Sequence, residues 1–264
     1  MKKYQYVTLD PTGNITCLVL EHVDPEDEKE LTRRLLQECE QVAYLEPATL
    51  PDSGATVRLM GGEFCGNAAM AAAAWLVRCC LNPGEEKDVP LQVSGAEGII
   101  RCRIKALDDG FEGTVQMPGI REVTDMTYGG IALKAVRMEG IIHLVYEGAP
   151  LEQAAAESLL KAIAATLPDE AAGLIRWNRE TGEMIPLVYV RGSGSLVWEH
   201  GCGSGSAAVG ALEALRQGEG TASTAITQPG GVIRVTAEAA DGKIRNLSIT
   251  GRISIGRKTV IEVP

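Results

Sequence analysis

Apolar residues recur along the chain at two spacings, and the alternation between them marks out its elements. Residues 4–9 and 15–21 alternate apolar with polar, as half-buried strands do, and Asp10-Pro-Thr-Gly13-Asn14 between them has the composition of a turn, so the pattern predicts a hairpin. Residues 25–38 set Leu31, Leu35 and Leu36 on a charged background, with Pro25 at the start and acids in the first turn, which predicts an amphipathic helix. Short strands are expected at 41–46 and 55–60. Residues 65–79 differ from all of these: they are apolar nearly all round, the pattern of a helix buried on every side. Strands at 90–94, 98–105 and 111–117 follow, separated by glycine and aspartate turns, and Pro118-Gly119 closes the first half.

The second half replays that order. A hairpin is expected at 130–137 and 141–147, a helix at 151–166, strands at 185–190 and 195–198, a second buried helix at 205–216, and strands at 231–237 and 245–255. Cys65 and Cys202 lie 137 positions apart, and Ile100-Arg-Cys-Arg and Ile233-Arg-Val-Thr lie 133 apart. Gly13-Asn-Ile-Thr-Cys-Leu-Val-Leu-Glu21 also echoes Gly140-Ile-Ile-His-Leu-Val-Tyr-Glu147. The repeat implies an α/β (α+β) protein of two pseudo-symmetric domains, 1–119 and 120–264, each a mainly antiparallel sheet wrapped around a central helix. The last strand is free to pair back with the first domain, and the active site is expected in the interdomain cleft, where ligand sites tend to form.

Composition narrows the chemistry. With 45% hydrophobic and 23% charged residues the chain is an ordinary globular one, but only 4% are aromatic, so the core is expected to be aliphatic. No stretch reaches the ~20 apolar residues of a membrane span. A net charge of −10 without clustered Lys or Arg argues against nucleic acid and for small-molecule chemistry. Met1-Lys-Lys-Tyr-Gln-Tyr has no apolar signal core, so a cytoplasmic protein, monomer or homodimer, is expected. The seven cysteines (17, 39, 65, 79, 80, 102 and 202) are odd in number, form no CxxC and have no histidine at ligand spacing, which speaks against a disulfide scaffold and against a metal site.

Two of those cysteines open the two buried helices, in Cys65-Gly-Asn-Ala and Cys202-Gly-Ser-Gly. At a helix N-terminus the unpaired amides and the positive end of the dipole favour a thiolate and seat an anion. Two such ends facing one small carboxylic acid would place a thiol on either side of it, with the amides of Gly66-Asn67 and Gly203-Ser204 holding the carboxylate as charge develops. Glu199, three residues before Cys202, is a candidate for a substrate ammonium. Asn14 and Asn67 are either ligand groups or turn and cap residues. Of the neighbours Glu40 and Gln41, strand alternation lets one face the cleft. The run Gly201-x-Gly203-x-Gly205 lacks dinucleotide-loop spacing and the acidic residue that should follow. His200 is expected to point to solvent, and Cys17, Cys39, Cys79, Cys80 and Cys102 to be structural. No cofactor is implied, since a pyridoxal enzyme would need a Schiff-base lysine and a phosphate cup. A binding or thiol-redox protein with the same two cysteines is the non-enzymatic alternative.

The chain resembles the diaminopimelate epimerase-like superfamily of cofactor-independent racemases over its whole length. The likeness rests on the Gly13-Asn14 turn, Glu40-Gln41, Phe64-Cys-Gly-Asn67 and Glu199 with Cys202-Gly-Ser-Gly205. Within it the chain is most similar to the histidine racemases of opine-type metallophore pathways, through Cys39-Glu-Gln-Val42, Glu63-Phe-Cys-Gly-Asn-Ala68, Gln116-Met-Pro118, Leu196-Val-Trp-Glu199 and Gln228-Pro-Gly-Gly231. The resemblance implies a two-cysteine, two-base racemase acting on a small amino acid, with Cys65 and Cys202 catalytic. Asn14, Glu40, Gln41, Gly66, Asn67, Glu199, Gly203 and Ser204 would bind the substrate. Diaminopimelate epimerases carry Glu-Arg and then Gly-Glu-Thr before the second cysteine, the arginine holding the distal carboxylate; here Glu199-His200-Gly201 runs straight into Cys202. The half-two motif Gly-Asn-Pro-His reads Gly140-Ile-Ile-His143, and the loop before the first cysteine shortens to Met60-Gly-Gly62. A buried carboxylate without a partner is costly, which disfavours diaminopimelate and favours an amino acid with a single carboxylate. The resemblance makes histidine the expected substrate, with Glu40 or Gln41 as partners of its imidazole or ammonium; diaminopimelate and other amino acids are the alternatives.

Overall fold

The computed structural model describes residues 1–264 and divides into two compact units, Met1–Gln116 with Thr250–Pro264, and Met117–Ile249. The first contains β1 (Lys2–Pro11), β2 (Thr16–Val19), α1 (Pro25–Leu35), β3 (Gln41–Glu46), β4 (Ala55–Leu59), α2 (Gly66–Val77), β5 (Glu86–Val93), β6 (Ile100–Leu107) and β7 (Gly110–Gln116). The second contains β8 (Glu122–Tyr128), β9 (Ile131–Arg137), β10 (Ile141–Tyr146), α3 (Gln153–Ala164), β11 (Ala171–Asn178), β12 (Glu183–Val190), β13 (Ser195–Trp198), α4 (Gly203–Gln217), β14 (Gly220–Gln228) and β15 (Gly231–Ala240). A long last strand, β16 (Lys243–Val263), begins in the second unit and ends in the first.

The repeat read from the sequence is a repeat of pairings. In the first unit β1–β2 is antiparallel, β2–β3 parallel, β3–β4 antiparallel, β4–β5 parallel, and β5–β6–β7 antiparallel. The second follows the same sequence of hands through β9–β10, β10–β11, β11–β12, β12–β14 and β14–β15. Each sheet is therefore mainly antiparallel and interrupted by two parallel joints, each bridged by a helix. In the first unit β16 adjoins β7 and also pairs antiparallel with β1, which closes a ring of eight strands around α2.

Composition explains why α2 and α4 lie inside. α2 buries Ala68, Ala69, Met70 and Ala71–Ala74 on all sides and has no charge in either terminal turn. A cylinder of methyl groups leaves room for strands to approach on every face, and its stability comes from that packing rather than from an amphipathic stripe. α4 repeats this with Ala207, Ala208, Val209, Gly210 and Ala211. The amphipathic helices lie on the other face of their sheets: α1 inserts Leu31 and Leu35 among Tyr4, Tyr6, Val42 and Tyr44, and α3 inserts Leu160 and Ile163 among Leu144, Leu174 and Leu187. No helix is long and apolar enough to cross a membrane.

The differences from the expected elements have local causes. Helix α1 stops at Leu35 and Leu36 is exposed, because residues 36–38 form turns that return the chain to β3. Three strands have no counterpart in the hydrophobic pattern: β8 is a polar edge strand, β11 carries Gly173 in its middle, and β14 is built from Thr, Ser and Ala.

Candidate active site

Each central helix begins at a cysteine in the same way. Cys65 has extended dihedrals (φ −133°, ψ 111°), and its sulfur accepts the Ala68 amide at 3.5 Å. Cys202 is likewise extended (φ −108°, ψ 105°), and its sulfur accepts the Gly205 amide at 3.3 Å. A thiol thus occupies the position where serine or aspartate usually caps a helix. Gly66-Asn67 and Gly203-Ser204 supply the first two amides of each helix, at the positive end of its dipole.

Around Cys65 the partners are side-chain amides. The turn before β2 places Gly13 at φ +88°, with its amide donating to Asp10 Oδ1 at 2.6 Å, and this presents Asn14 to the helix end. Asn14 Oδ1 accepts from Gln41 Nε2 at 2.7 Å and lies 3.8 Å from Cys65 Sγ, within reach of a thiol hydrogen bond. Asn67 Nδ2 lies 3.5 Å from the same oxygen. Asn14 Nδ2 donates to Glu40 Oε2 at 3.0 Å. Gln41 Nε2 also donates to Thr16 Oγ1 at 2.8 Å, and that hydroxyl donates to the Asn14 carbonyl at 3.0 Å. Glu40 and Gln41 therefore both converge on Asn14, where alternation allowed one: Gln41 opens β3 while Glu40 sits in the turn before it, off the pleat. Gln41 is buried with its amide nitrogen committed to Asn14 and Thr16, whereas Glu40 is half-exposed.

Around Cys202 the partners are hydroxyls, an imidazole and a carboxylate. Ser204 Oγ is 3.6 Å from Cys202 Sγ and 2.9 Å from His143 Nε2. His143 sits fully buried on β10 opposite Gly173 of β11, and a Cβ on Gly173 would lie 2.3 Å from Nδ1, so only glycine leaves room for the ring. Burial holds the imidazole down to about 4, hence neutral at physiological pH. Its Nδ1 has no hydrogen-bond partner. An orphaned buried N–H costs about 1–3 kcal/mol, so the proton belongs on Nε2, which donates to Ser204; the Ser204 hydroxyl then turns its own hydrogen to the Cys202 sulfur. Burial and then the charge of Glu199 beside it push the Cys202 thiol well above its ordinary value, against the lowering by the Gly205 amide and Ser204.

The other thiols lie apart from this pattern. Cys17 and Cys102 are buried in the core, burial pushing Cys102 up to about 12. Cys39 reaches the carbonyls of Leu35 and Gln41 at 3.2 and 3.1 Å, and Cys79 and Cys80 are exposed just past α2. A carboxylate cluster with metal-like spacing, Asp24, Glu26 and Asp27, already holds the Lys2 ammonium at 2.7, 3.0 and 2.9 Å. Sequence reasoning assigned no role to Thr16 and Ser206, buried polar residues that support the two caps. It noted Gln228, which is also buried, and His143 only within motifs, though a lone histidine in the apolar run Ile141-Ile-His-Leu-Val145 was a visible signal.

Comparison with known proteins gives the family and the fold. The family described as "Histidine racemase CntK N-terminal domain" matches residues 3–260. A histidine racemase of Staphylococcus aureus is 27% identical, covering 95% of this chain and 94% of the relative. One of Fusobacterium nucleatum subsp. nucleatum is 26% identical, covering 96% and 97%. Among solved structures, a hydroxyproline epimerase of Agrobacterium vitis with bound trans-4-hydroxy-L-proline has the same fold, with a TM-score of 0.72 at 15% identity and coverage of 98% of this chain and 92% of that one.

Proposed function

The chain belongs to the histidine racemase family whose N-terminal-domain description matches it, and from that membership we propose that it interconverts L- and D-histidine by a two-base mechanism without a cofactor. The observation that carries the reading is the duplicated cap: two helices that each begin at a cysteine whose sulfur accepts the amide three residues on. One cysteine as thiolate takes the Cα proton, and the other as thiol returns a proton to the opposite face. The Cα–H is far less acidic than a thiol, so the carbanion must be stabilised as it forms. The first-turn amides of Gly66, Asn67, Gly203 and Ser204 hold the substrate carboxylate for that purpose.

The surroundings of Cys202 favour its thiol form at rest. Cys202, buried beside Glu199, rests as the thiol and is the acid, with Cys65 the base for the enantiomer that presents its proton there. When Cys202 gives up its proton, the Ser204 hydroxyl, oriented by His143, donates to the sulfur left behind. Glu199 and Asn14 take the substrate ammonium, and Glu40, still half-exposed, is the better partner for an imidazole than the committed Gln41. The enzyme works in the cytoplasm, as a monomer or homodimer.

The test is a panel of the common L-amino acids and LL-diaminopimelate in heavy water under reductant, with Cα deuterium followed by NMR and enantiomers by chiral chromatography. Fastest exchange with histidine, and D-histidine appearing, is the expected result. Preferential turnover of diaminopimelate would overturn the substrate, and binding without exchange would overturn the enzyme.

A further inference from the structure

The Gln228-Pro-Gly-Gly231 turn is used by no step above, yet it is fastened to the Cys202 cap from two sides. Gly230 donates its amide to the His200 carbonyl at 2.8 Å. Gln228, the last residue of β14 and buried, accepts the Cys202 amide on Oε1 at 2.7 Å. Its Nε2 donates to Ser206 Oγ at 2.9 Å, and the Ser206 hydroxyl donates to the Cys202 carbonyl at 2.6 Å. The three bonds form a closed circuit that begins and ends on the backbone of one residue. Both polar groups of the Cys202 peptide are thereby held, and with them the direction in which Cβ and Sγ leave the chain.

The first copy lacks this circuit. Four residues past Cys65 stands Ala69 where Ser206 follows Cys202, and the last residue of β5 is Val93 where β14 ends in Gln228. Neither carries a hydrogen-bonding side chain. Since Ala and Val serve the fold adequately there, the fold alone does not require two buried polar groups at these places, which are costly unless fully paired.

We infer that Gln228 and Ser206 are positioning residues that act through the Cys202 backbone, fixing the sulfur in line with the reacting carbon. The inference rests on the two-cysteine reading. A displacement of about 1 Å at a reacting group costs on the order of 100-fold in rate, so Gln228→Leu should lower kcat by about that factor with KM within about threefold, the signature of loss in the transition state alone. Ser206→Ala opens the same circuit and should lower kcat by about tenfold, the worth of one hydrogen bond. Because the circuit works as a unit, the double variant should lose no more than Gln228→Leu. Gln228→Glu is the conservative rescue: its protonated carboxyl keeps the same acceptor and donor, so its rate should recover as pH falls, against the trend of the parent.

An independent reading comes from iodoacetamide, with each cysteine's labelling followed by peptide mass spectrometry. Release of the circuit should raise the labelling rate of Cys202 and leave that of Cys65 at the parental value. A parental kcat with parental Cys202 labelling in both variants would overturn the inference, and so would Cys65 and Cys202 changing together, which is general loosening. The labelling needs no turnover, so it decides on the circuit even if the chain fails to racemise histidine.

Discussion

The two copies make the same cap and surround it differently. Aligned on their cysteines and on the echo of Gly13 and Gly140, Asn67 corresponds to Ser204 and Thr16 to His143; strand pairing then sets Gln41 against Gly173, since Thr16 pairs with Gln41 and His143 with Gly173. In the first copy Gln41 fills the space with an amide that Thr16 and Asn14 share. In the second, glycine vacates that space, and an imidazole occupies it and bonds to Ser204. A duplicated backbone thus carries two thiols of unequal character. Under the two-base mechanism proposed above, one sulfur lacks its proton while the other holds one, and the two exchange these states with each turnover.

Removing either sulfur is the hardest test of that comparison. Cys65→Ser and Cys202→Ser should each lower racemisation by about 1000-fold or more, within the range of general acid–base contributions. Each variant should keep slow Cα exchange with heavy water for a single enantiomer, opposite in the two. Near-parental racemisation by either variant would refute the pairing.

The imidazole gives the second copy a pH dependence the first lacks. His143 takes a proton below about 6.5 when unfolded and below about 4 when folded, so its share of stability is intact above pH 6.5 and is lost as pH falls through 4. The shift corresponds to about 3 kcal/mol. Urea denaturation between pH 7 and 4 should show a steeper loss for the parent than for His143→Gln; parallel curves would mean that the ring is not held neutral.

Two glycines sharpen the comparison further. A Cβ at Gly173 would meet His143 Nδ1 at 2.3 Å, and one at Gly95, where φ is +69°, would meet the Phe64 amide nitrogen at 2.3 Å, next to Cys65. Each alanine variant should lose about 1–3 kcal/mol of stability. Gly173→Ala should change iodoacetamide labelling at Cys202 alone, and Gly95→Ala at Cys65 alone. The smallest effect is expected at the exposed pair: Cys79→Ser with Cys80→Ser should leave kcat within about twofold while removing the two fastest-labelled thiols.

Much of the fold was legible because α2, and α4 as far as Leu212, carry no charge, and because β4 and β6 alternate cleanly. The strands that escaped notice are those whose burial depends on neighbours: β11 has a glycine in the middle because of His143, and β14 is polar by composition and buried on one face only. At the site, cysteine followed by glycine and a small polar residue was readable because capping is local. The supporting groups were not, since Gln228 reaches Cys202 across 26 positions and Gln41 reaches Asn14 across 27, and no local pattern encodes such a contact.

β16 has a consequence for the order of folding. Lys2 of β1 lies opposite Val263 and Tyr6 opposite Thr259, so the ring around α2 closes through contacts between residues far apart in the chain, whereas β1–β2 and β5–β6–β7 are joined by short turns. Distant pairings form slowly, because the entropy of closing a long loop comes before the contacts that reward it. The buried alanine helix that carries Cys65 is therefore sealed late, when β16 closes on β1.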